Sequence, residues 1–156
     1  LNVPGALLLN AKLKGAYLQE ANLKGAYLQG ADMRGVKLYR ANMIRAILPG
    51  ANLQGASLNE ADLLSAILLG ANLQGANLQQ ARLKEAHLQN ANLQGAILLH
   101  VNMIRADLED VDLQEANLRG ADMLEVYHLT QDQLDSACGV PVRLPQGLTP
   151  PKPCPE

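Results

Sequence analysis

The chain has 156 residues, of which 48% are hydrophobic and 3% aromatic, with no Phe and no Trp. Any interior must therefore be built from aliphatic side chains. The formal net charge of -2 gives no general electrostatic reason to expect nucleic acid or an anionic membrane as a partner.

The sequence contains no membrane-spanning segment and no recognisable signal peptide. No apolar run approaches the roughly 18 residues that a membrane span needs, so we expect no membrane association. No basic segment followed by an apolar stretch resembles a signal peptide. The first residue is Leu1 instead of Met, which leaves open whether preceding residues have been removed.

A period of five residues runs from Leu1 to Glu125. Every fifth residue from Leu8 to Met123 is Leu or Met, and two residues before each lies Ala or Val. Because five matches neither the helical period of 3.6 nor the strand period of 2, the chain must turn once per repeat. If Ala and Leu both point inward, four repeats close a square coil of twenty residues. The coils are expected to stack at the spacing of neighbouring strands, about 4.8 Å, and the repeats suffice for about six coils.

The corner residue, two after each Leu, supports this coil. It is Gly at Gly15, Gly35, Gly55, Gly75 and Gly95 on one face, and at Gly30, Gly50 and Gly70 on another. The opposite columns carry Glu20, Arg40, Glu60 and Gln80, and Arg45, Ser65, Glu85 and Arg105. Because Gly tolerates positive φ, we predict type II turns on two faces and other turns on the remaining two. The residue before Leu is often Asn, as in Asn52 and Asn72, and stacked Asn predicts amide ladders.

The pattern A-(N/D)-L-x-G, as in Ala51–Gly55 and Ala71–Gly75, resembles the pentapeptide repeat family over about four-fifths of the chain. The resemblance implies an all-β solenoid, namely a right-handed quadrilateral parallel β-helix. Because fold does not define function, the role of the protein has to be argued from its surface.

The repeat ends where His128 occupies the next Leu position. Thr130 and Gln133 form a capping-box pattern, and Leu134 follows at helical spacing, which predicts a short helix over about 130–138. We expect this capping α-helix to cover the last coil, hiding its interior and its unpaired edge groups.

The chain therefore divides into a pentapeptide-repeat β-helix at 1–126 and a C-terminal cap at 127–156, with a Pro-rich tail that we expect to be irregular. Both cysteines, Cys138 and Cys154, lie in the cap. A disulfide between them would stabilise by about 3 kcal/mol in the chain-entropy model. A paired state in the cell would indicate an exported or periplasmic protein, and free thiols would favour the cytoplasm.

The sequence predicts no enzyme, because a square interior of Leu and Ala leaves no cavity or polar group for catalysis. His87 and His100 fall on opposite faces and His128 lies in the cap, so no two histidines form a metal pair. Ser57 and Ser65 have no His beside them. We therefore expect no catalytic, metal-binding or cofactor-binding residue and no small-molecule substrate.

Outward positions on one face carry the best local signal for binding. Seven apolar residues are predicted to stack there over four coils and form an apolar face: Leu7, Leu9, Tyr27, Ile47, Pro49, Ile67 and Leu69. Since outward positions have no core to join, this face predicts a protein partner or a homodimer. The alternative is that β-branched residues simply favour strand stacking.

Two further features could support association. A smaller strip holds Ile44, Leu64, Ile104 and Leu124 and is interrupted by Lys84. The open N-terminal coil could also pair with a copy of itself in an isologous contact.

The family resemblance implies one alternative function. Fluoroquinolone-resistance members resemble duplex DNA in shape and charge and bind DNA gyrase, so a DNA-mimic inhibitor or protector of gyrase is a second hypothesis. Here the acids crowd the last coil: Asp107, Glu109, Asp110, Asp112, Glu115, Asp122 and Glu125. Mimicry should need acid along most of the rod, and gyrase-directed members commonly have a central Phe, which this chain lacks.

Nucleic-acid binding through the opposite, mildly basic end is disfavoured, because its Lys and Arg residues are spread over all four faces. The basic residues there are Lys12, Lys14, Lys24, Arg34, Lys37, Arg40 and Arg45. The preferred hypothesis is a non-catalytic structural or protein-interaction scaffold, with self-association as one form of it.

Overall fold

The backbone is a stack of parallel bridges between residues twenty positions apart. The structure is a computed structural model that describes residues 1–155. Bridges join the second residue of each repeat to its counterpart in the next coil, from Asn2–Asn22 to Asp107–Tyr127. Each repeat contributes a single bridge residue, and no longer strand forms within residues 1–155. One turn of the solenoid therefore takes four repeats, as predicted.

The repeat Ala51–Gly55 shows how the backbone is paired. The N–H of Leu53 donates to the carbonyl of Asn72 in the next coil at 2.7 Å. The N–H of Asn52 donates to Ala31 in the previous coil at 2.9 Å, and the N–H of Ala56 closes the corner on Leu53 at 3.0 Å. Because the same bonds recur along the solenoid, backbone groups on every face find partners without long strands.

The Ala and Leu columns form the interior, as the sequence predicts. From Ala21 to Met123 each of these side chains is at most 3% exposed, and no polar or charged residue is buried anywhere in residues 1–155. Residues two apart on an extended segment point to the same side, so both columns face the axis. In the first coil Leu8, Leu13 and Leu18 are only partly buried.

Every corner uses the left-handed backbone region. The φ angle lies between 53° and 74° at each fifth residue from Gly5 to Glu125, including Glu20, Arg40 and Ser65. With the hydrogen bond from Ala to the preceding Leu, positive φ at this third turn residue is the feature of a type II turn. Positive φ is therefore not confined to the two glycine-rich faces, as the prediction of two kinds of turn assumed. Pairing with neighbouring coils requires the same corner everywhere, and it outweighs the roughly 1–2 kcal/mol that a non-Gly residue loses there.

The amide ladder is made by Gln, and the Asn ladder that the sequence predicts is largely absent from the described chain. Gln54, Gln74 and Gln94 each donate from Nε2 to the Oε1 of the next glutamine at 3.0–3.4 Å, ending on Gln114. Asn side chains instead accept from the backbone N–H two residues on, and only the Asn2–Asn22 pair joins two Asn amides. The Asn side chain is shorter than that of Gln and reaches the backbone N–H of its own corner, so this local hydrogen bond forms in place of a bond to the next Asn.

Helix α1 spans Gln131–Ser136 and is the only helix in residues 1–155. Its capping box is formed: Gln133 N–H donates to Thr130 Oγ1 at 3.2 Å, and Thr130 N–H donates to Gln133 Oε1 at 2.8 Å. Leu134 is fully buried. The helix is shorter than predicted because Ala137 is extended and Cys138 pairs with Asn117. This helix is far too short to cross a bilayer, and the described residues contain no other helix that could do so.

Gln133 also satisfies the edge of the last coil (residues 107–126). Its Nε2 donates to the carbonyls of Leu108 at 2.8 Å and Val111 at 3.0 Å. Edge carbonyls without such a partner could pair with another chain. Helix α1 therefore covers both the interior and part of the edge of that coil.

The tail continues the bridge ladder, so the expectation of an irregular tail is wrong at two positions. Arg143 pairs in parallel with Asp122, and Lys152 pairs with Cys138. The predicted disulfide is confirmed: Cys138 and Cys154 are bonded, with their Cα atoms 4.8 Å apart. The disulfide holds the Lys152 segment against Cys138, which itself lies on the last coil.

Candidate interaction face

The structure brings all seven residues of the apolar face onto one side of the solenoid. Consecutive bridges join Leu7 to Tyr27, Tyr27 to Ile47, and Ile47 to Ile67. Leu9, Pro49 and Leu69 each come two residues after a bridge residue, with one inward Leu between them. Their side chains therefore point outward and lie beside the column of bridge residues.

Exposure differs along the apolar face. Tyr27 is 39% exposed and Leu69 is 41% exposed, and both have coils on either side, so their exposure does not come from the end of the chain. Ile47, Pro49 and Ile67 are partly buried by their stacked neighbours. Leu7 and Leu9, in the first coil, are more exposed, at 76% and 55%. The result is a continuous apolar surface with open positions at several levels.

Polar residues limit the apolar face. Gln29 separates Leu9 from Pro49 in the flanking column. Beyond Ile67 the bridge column continues through His87 and Asp107, so the surface becomes polar toward the cap. The apolar face is therefore confined to the N-terminal part of this side of the solenoid.

The smaller strip is less prominent. Ile44, Leu64, Ile104 and Leu124 are all only partly exposed. Lys84 interrupts them and lies 3.9 Å from Glu85. A charged group in the middle of the strip makes it a poorer surface for an apolar partner.

The acidic last coil is partly neutralised. Glu125 pairs with Arg105 and Asp122 with Arg143, both at 2.7 Å. Sequence reasoning missed Arg143, because the tail was not expected to lie against the coil. Glu109, Asp110, Asp112 and Glu115 form no ion pair within residues 1–155. The unpaired negative charge therefore lies on two consecutive repeats of the last coil, 106–110 and 111–115.

Sequence reasoning also missed a contact between the last coil and the cap. His128 Nδ1 lies 2.7 Å from Asp107 Oδ1, and Glu109 is close by. A hydrogen bond and the negative charge of Asp107 raise the pKa of His128. Burial acts to raise the pKa of Asp107, but hydrogen bonds from His128 and the Glu109 amide outweigh it, so that pKa lies below its usual value. The signal in the sequence was that residue 127 stacks directly over residue 107.

The family assignment follows from the repeats. The family model described as pentapeptide repeats, eight copies, matches residues 11–48, 37–75, 46–84 and 86–123. These matches cover well over half of the chain, so the protein belongs to the pentapeptide repeat family. Membership implies the right-handed quadrilateral β-helix, in agreement with a coil of four repeats.

Solved pentapeptide repeat structures are among those similar to this chain. HetL from the cyanobacterium Nostoc sp. strain PCC 7120, involved in heterocyst differentiation regulation, is 33% identical over 88% of this chain and 65% of its own, with a TM-score of 0.37. Rfr23 from the cyanobacterium Cyanothece 51142 is 37% identical over 68% and 58%, with a TM-score of 0.40. The chain thus spans less than two thirds of either protein.

A third solved structure is QnrB1, a plasmid-mediated fluoroquinolone resistance protein. It is 20% identical over 92% of this chain and 89% of its own, with a TM-score of 0.42. A comparison with curated proteins found no match. The family is therefore established, while the function has to be proposed from the surface.

Proposed function

We propose that the protein is a non-catalytic interaction scaffold that binds a protein partner through the apolar face, with a second copy of the chain as the first partner to test. The observation that carries this proposal is the stack of outward apolar side chains on a solenoid whose interior is already complete. Contiguous exposed apolar surface of this kind commonly marks a protein contact.

Residue type supports binding over simple strand stacking. β-branched residues such as Ile47 and Ile67 are favoured on any pleated surface. Tyr27, as an aromatic residue, is favoured there as well, whereas Leu69 is not β-branched and is about two-fifths exposed. Strand preference therefore explains part of the apolar face, and the exposure of Leu69 supports a partner.

The interior supports a non-catalytic role. Between Ala21 and Met123 it consists of aliphatic side chains that are almost completely buried. Catalysis needs polar groups that converge in a sheltered, accessible cavity. Any chemistry would have to take place on the outer surface of the solenoid, outside this interior.

Replacing Ile47 and Ile67 together by Lys tests the proposal. Two adjacent positive charges on the apolar face should abolish self-association, because a desolvated ammonium has no partner there. Sedimentation velocity measures association, and far-UV circular dichroism reports whether the fold is intact. The matched control is Asn77→Lys with Ile97→Lys, which places the same charges at the equivalent, bridge-joined positions of another face.

The outcomes separate the two kinds of partner. Association lost in the apolar-face variant and kept in the control identifies a homodimer through this face. If the wild-type protein is monomeric, a pull-down from the native cell should capture a protein that the apolar-face variant does not. Equal behaviour of wild type and both variants in both measurements would remove the proposal.

The gyrase alternative has weaker support. The acids are concentrated in the last coil, and those at Asp32, Glu60 and Asp62 along the solenoid are paired with arginines. Two acids of the last coil, Asp122 and Glu125, pair with arginines as well. A supercoiling assay decides the matter: inhibition or protection of gyrase at micromolar protein would favour mimicry, and no effect would retire it.

The disulfide supports an exported or periplasmic location, because such bonds persist in oxidising compartments. Alkylation of thiols in intact cells tests this location. A chain that is alkylated only after reduction supports an exported or periplasmic protein, and a chain that is alkylated without reduction contradicts that location.

A further inference from the structure

Three metal-ligating side chains meet where the last coil joins the cap. Asp107 and Glu109 flank the inward Leu108, so both point outward on the same side. His128 belongs to the segment that leaves the solenoid, and it is turned away from the axis at the position where earlier coils carry a buried Leu. Two segments about twenty residues apart therefore contribute to one cluster.

The geometry suits a single ion. One ligand atom from each of Asp107, Glu109 and His128 lies within 4.8 Å of the others, and the His128 Nδ1 to Asp107 Oδ1 distance is 2.7 Å. Metal–ligand bonds of about 2.1 Å at a tetrahedral angle place ligand atoms about 3.4 Å apart. Glu109 and His128 are exposed and can make the small adjustment, while Asp107 is only partly exposed.

Asp107 is held in place by neighbours that are not ligands. Gln89 Nε2 donates to its Oδ2 at 2.7 Å, and the backbone N–H of Glu109 donates to its Oδ1 at 3.2 Å. Supporting hydrogen bonds of this kind orient metal ligands and raise affinity.

The surroundings are negative and lack a permanent cation. A surface cavity of about 510 Å³ beside the cluster is lined by Glu109, Asp110, Asp112 and His128, with no Lys or Arg among its lining residues. None of those three acids forms an ion pair in the described part of the chain. A cavity with uncompensated carboxylates attracts cations.

The partner of Asp107 distinguishes this cluster from the other acids of the solenoid. Asp32, Glu60, Asp62, Asp122 and Glu125 each pair with an arginine, which cannot bind a metal. Asp107 pairs with an imidazole, which is a metal ligand once it is neutral. Only at this point does the described surface combine nitrogen and oxygen ligands within one ion's reach.

We propose that Asp107, Glu109 and His128 bind a divalent transition-metal ion of the zinc type. An imidazole with two carboxylates suits Zn²⁺ better than Mg²⁺ or Ca²⁺, which prefer oxygen ligands alone. Three protein ligands leave a further position for water. Because the ligands come from both the last coil and the cap, the ion would fasten the cap to the solenoid.

Isothermal titration calorimetry with ZnCl₂ tests the site. The probe is added to the tag-free 156-residue chain after EDTA treatment and exchange into a non-coordinating buffer at about pH 7. The disulfide is kept intact, so that no free thiol competes for the metal. We expect one equivalent of Zn²⁺ per chain, with affinity at least tenfold weaker in His128→Ala and in Glu109→Gln. His100→Ala, which removes an exposed histidine from a different face, is the matched control and should bind as wild type.

A second measurement guards against variants that only disturb the fold. Bound Zn²⁺ should raise the thermal midpoint of the wild-type chain and leave that of Asp107→Asn unchanged, since binding stabilises the state that contains the site. Circular dichroism without metal should be the same for all variants.

Several results would overturn the site: no binding of Zn²⁺, equal or tighter binding of Mg²⁺ or Ca²⁺, or full affinity in His128→Ala. Loss of binding in His87→Ala but not in His128→Ala would also do so, because His87 stacks below Asp107 in the same column.

Discussion

The repeat region and the C-terminal cap are held together by different kinds of contact. In the repeat region each coil buries the same aliphatic columns and repeats the same backbone bonds with its neighbours. The cap depends on a few specific contacts: the Thr130–Gln133 capping box, the buried Leu134 and the Cys138–Cys154 disulfide. Stability in the first is distributed over many equivalent positions, and in the second it is concentrated in a few.

This difference predicts how each region fails. A solenoid whose coils contact only their neighbours loses stability in proportion to the interior contacts removed. A cap held by single contacts can open by itself, as a local unit of low stability, while the solenoid stays folded.

The largest effect is expected from truncating an interior Leu. Leu73→Ala should lower the free energy of unfolding by about 2–5 kcal/mol, because Leu73 is fully buried and the rigid coils around it cannot close the cavity. Urea unfolding followed by circular dichroism measures the change. Leu144→Ala in the cap should cost less, because Leu144 is only partly buried. Equal losses at the two positions would contradict the comparison.

Removing the disulfide should affect the cap alone. The double variant Cys138→Ser with Cys154→Ser loses about 3 kcal/mol of cap stability in the chain-entropy model. Hydrogen exchange should speed up at the amides of Leu118 and Met123, which donate to the cap carbonyls of Cys138 and Arg143, and stay unchanged at Leu73, which donates within the solenoid. Faster exchange at all three amides would show that the cap and solenoid open together.

The smallest effect is expected from an outward ion pair of the solenoid. The hydrogen bond and charge of Arg34 lower the pKa of Asp32 from 3.8 to about 2. A depressed carboxyl pKa contributes stability above pH 3.8 that is lost as the pH falls toward 2. Arg34→Gln should return the Asp32 pKa toward 3.8, as measured by NMR titration, with little change in unfolding near pH 7 because the pair is exposed. A marked loss of stability at neutral pH would mean that surface pairs matter as much as the interior.

Much of the solenoid was predictable because sequence period and spatial neighbourhood coincide. Residues twenty apart, such as Leu53 and Leu73, lie in adjacent layers, so a column in the sequence is a column in space. The positive φ of Glu20 and Arg45 was not expected from the sequence, because glycine preference is a local signal, whereas the coil imposes a left-handed corner residue on every face. The Asn ladder failed because Asn52 reaches its own corner before it reaches Asn72.

The seven residues of the apolar face could be placed together from the same period, although their exposure could not. How far Tyr27 or Leu69 stands clear of its neighbours depends on the side chains stacked above and below. The disulfide was predictable because only two cysteines exist. The cluster of Asp107, Glu109 and His128 was missed, because its histidine follows the last regular repeat, where the inward Leu column ends and the direction of the side chain no longer follows from the period.

The amino-acid sequence by itself determined the family, the twenty-residue coil, the inward columns and the existence of a capping helix. It could do so because each repeat has the same pattern of Ala and Leu, and each coil of the solenoid packs against coils built from the same repeats. The tertiary structure alone decided the common corner, the pairing of Arg143 and Lys152, and the meeting of His128 with Asp107. Those contacts join segments with no shared period, so they depend on how the chain folds back over its last coil.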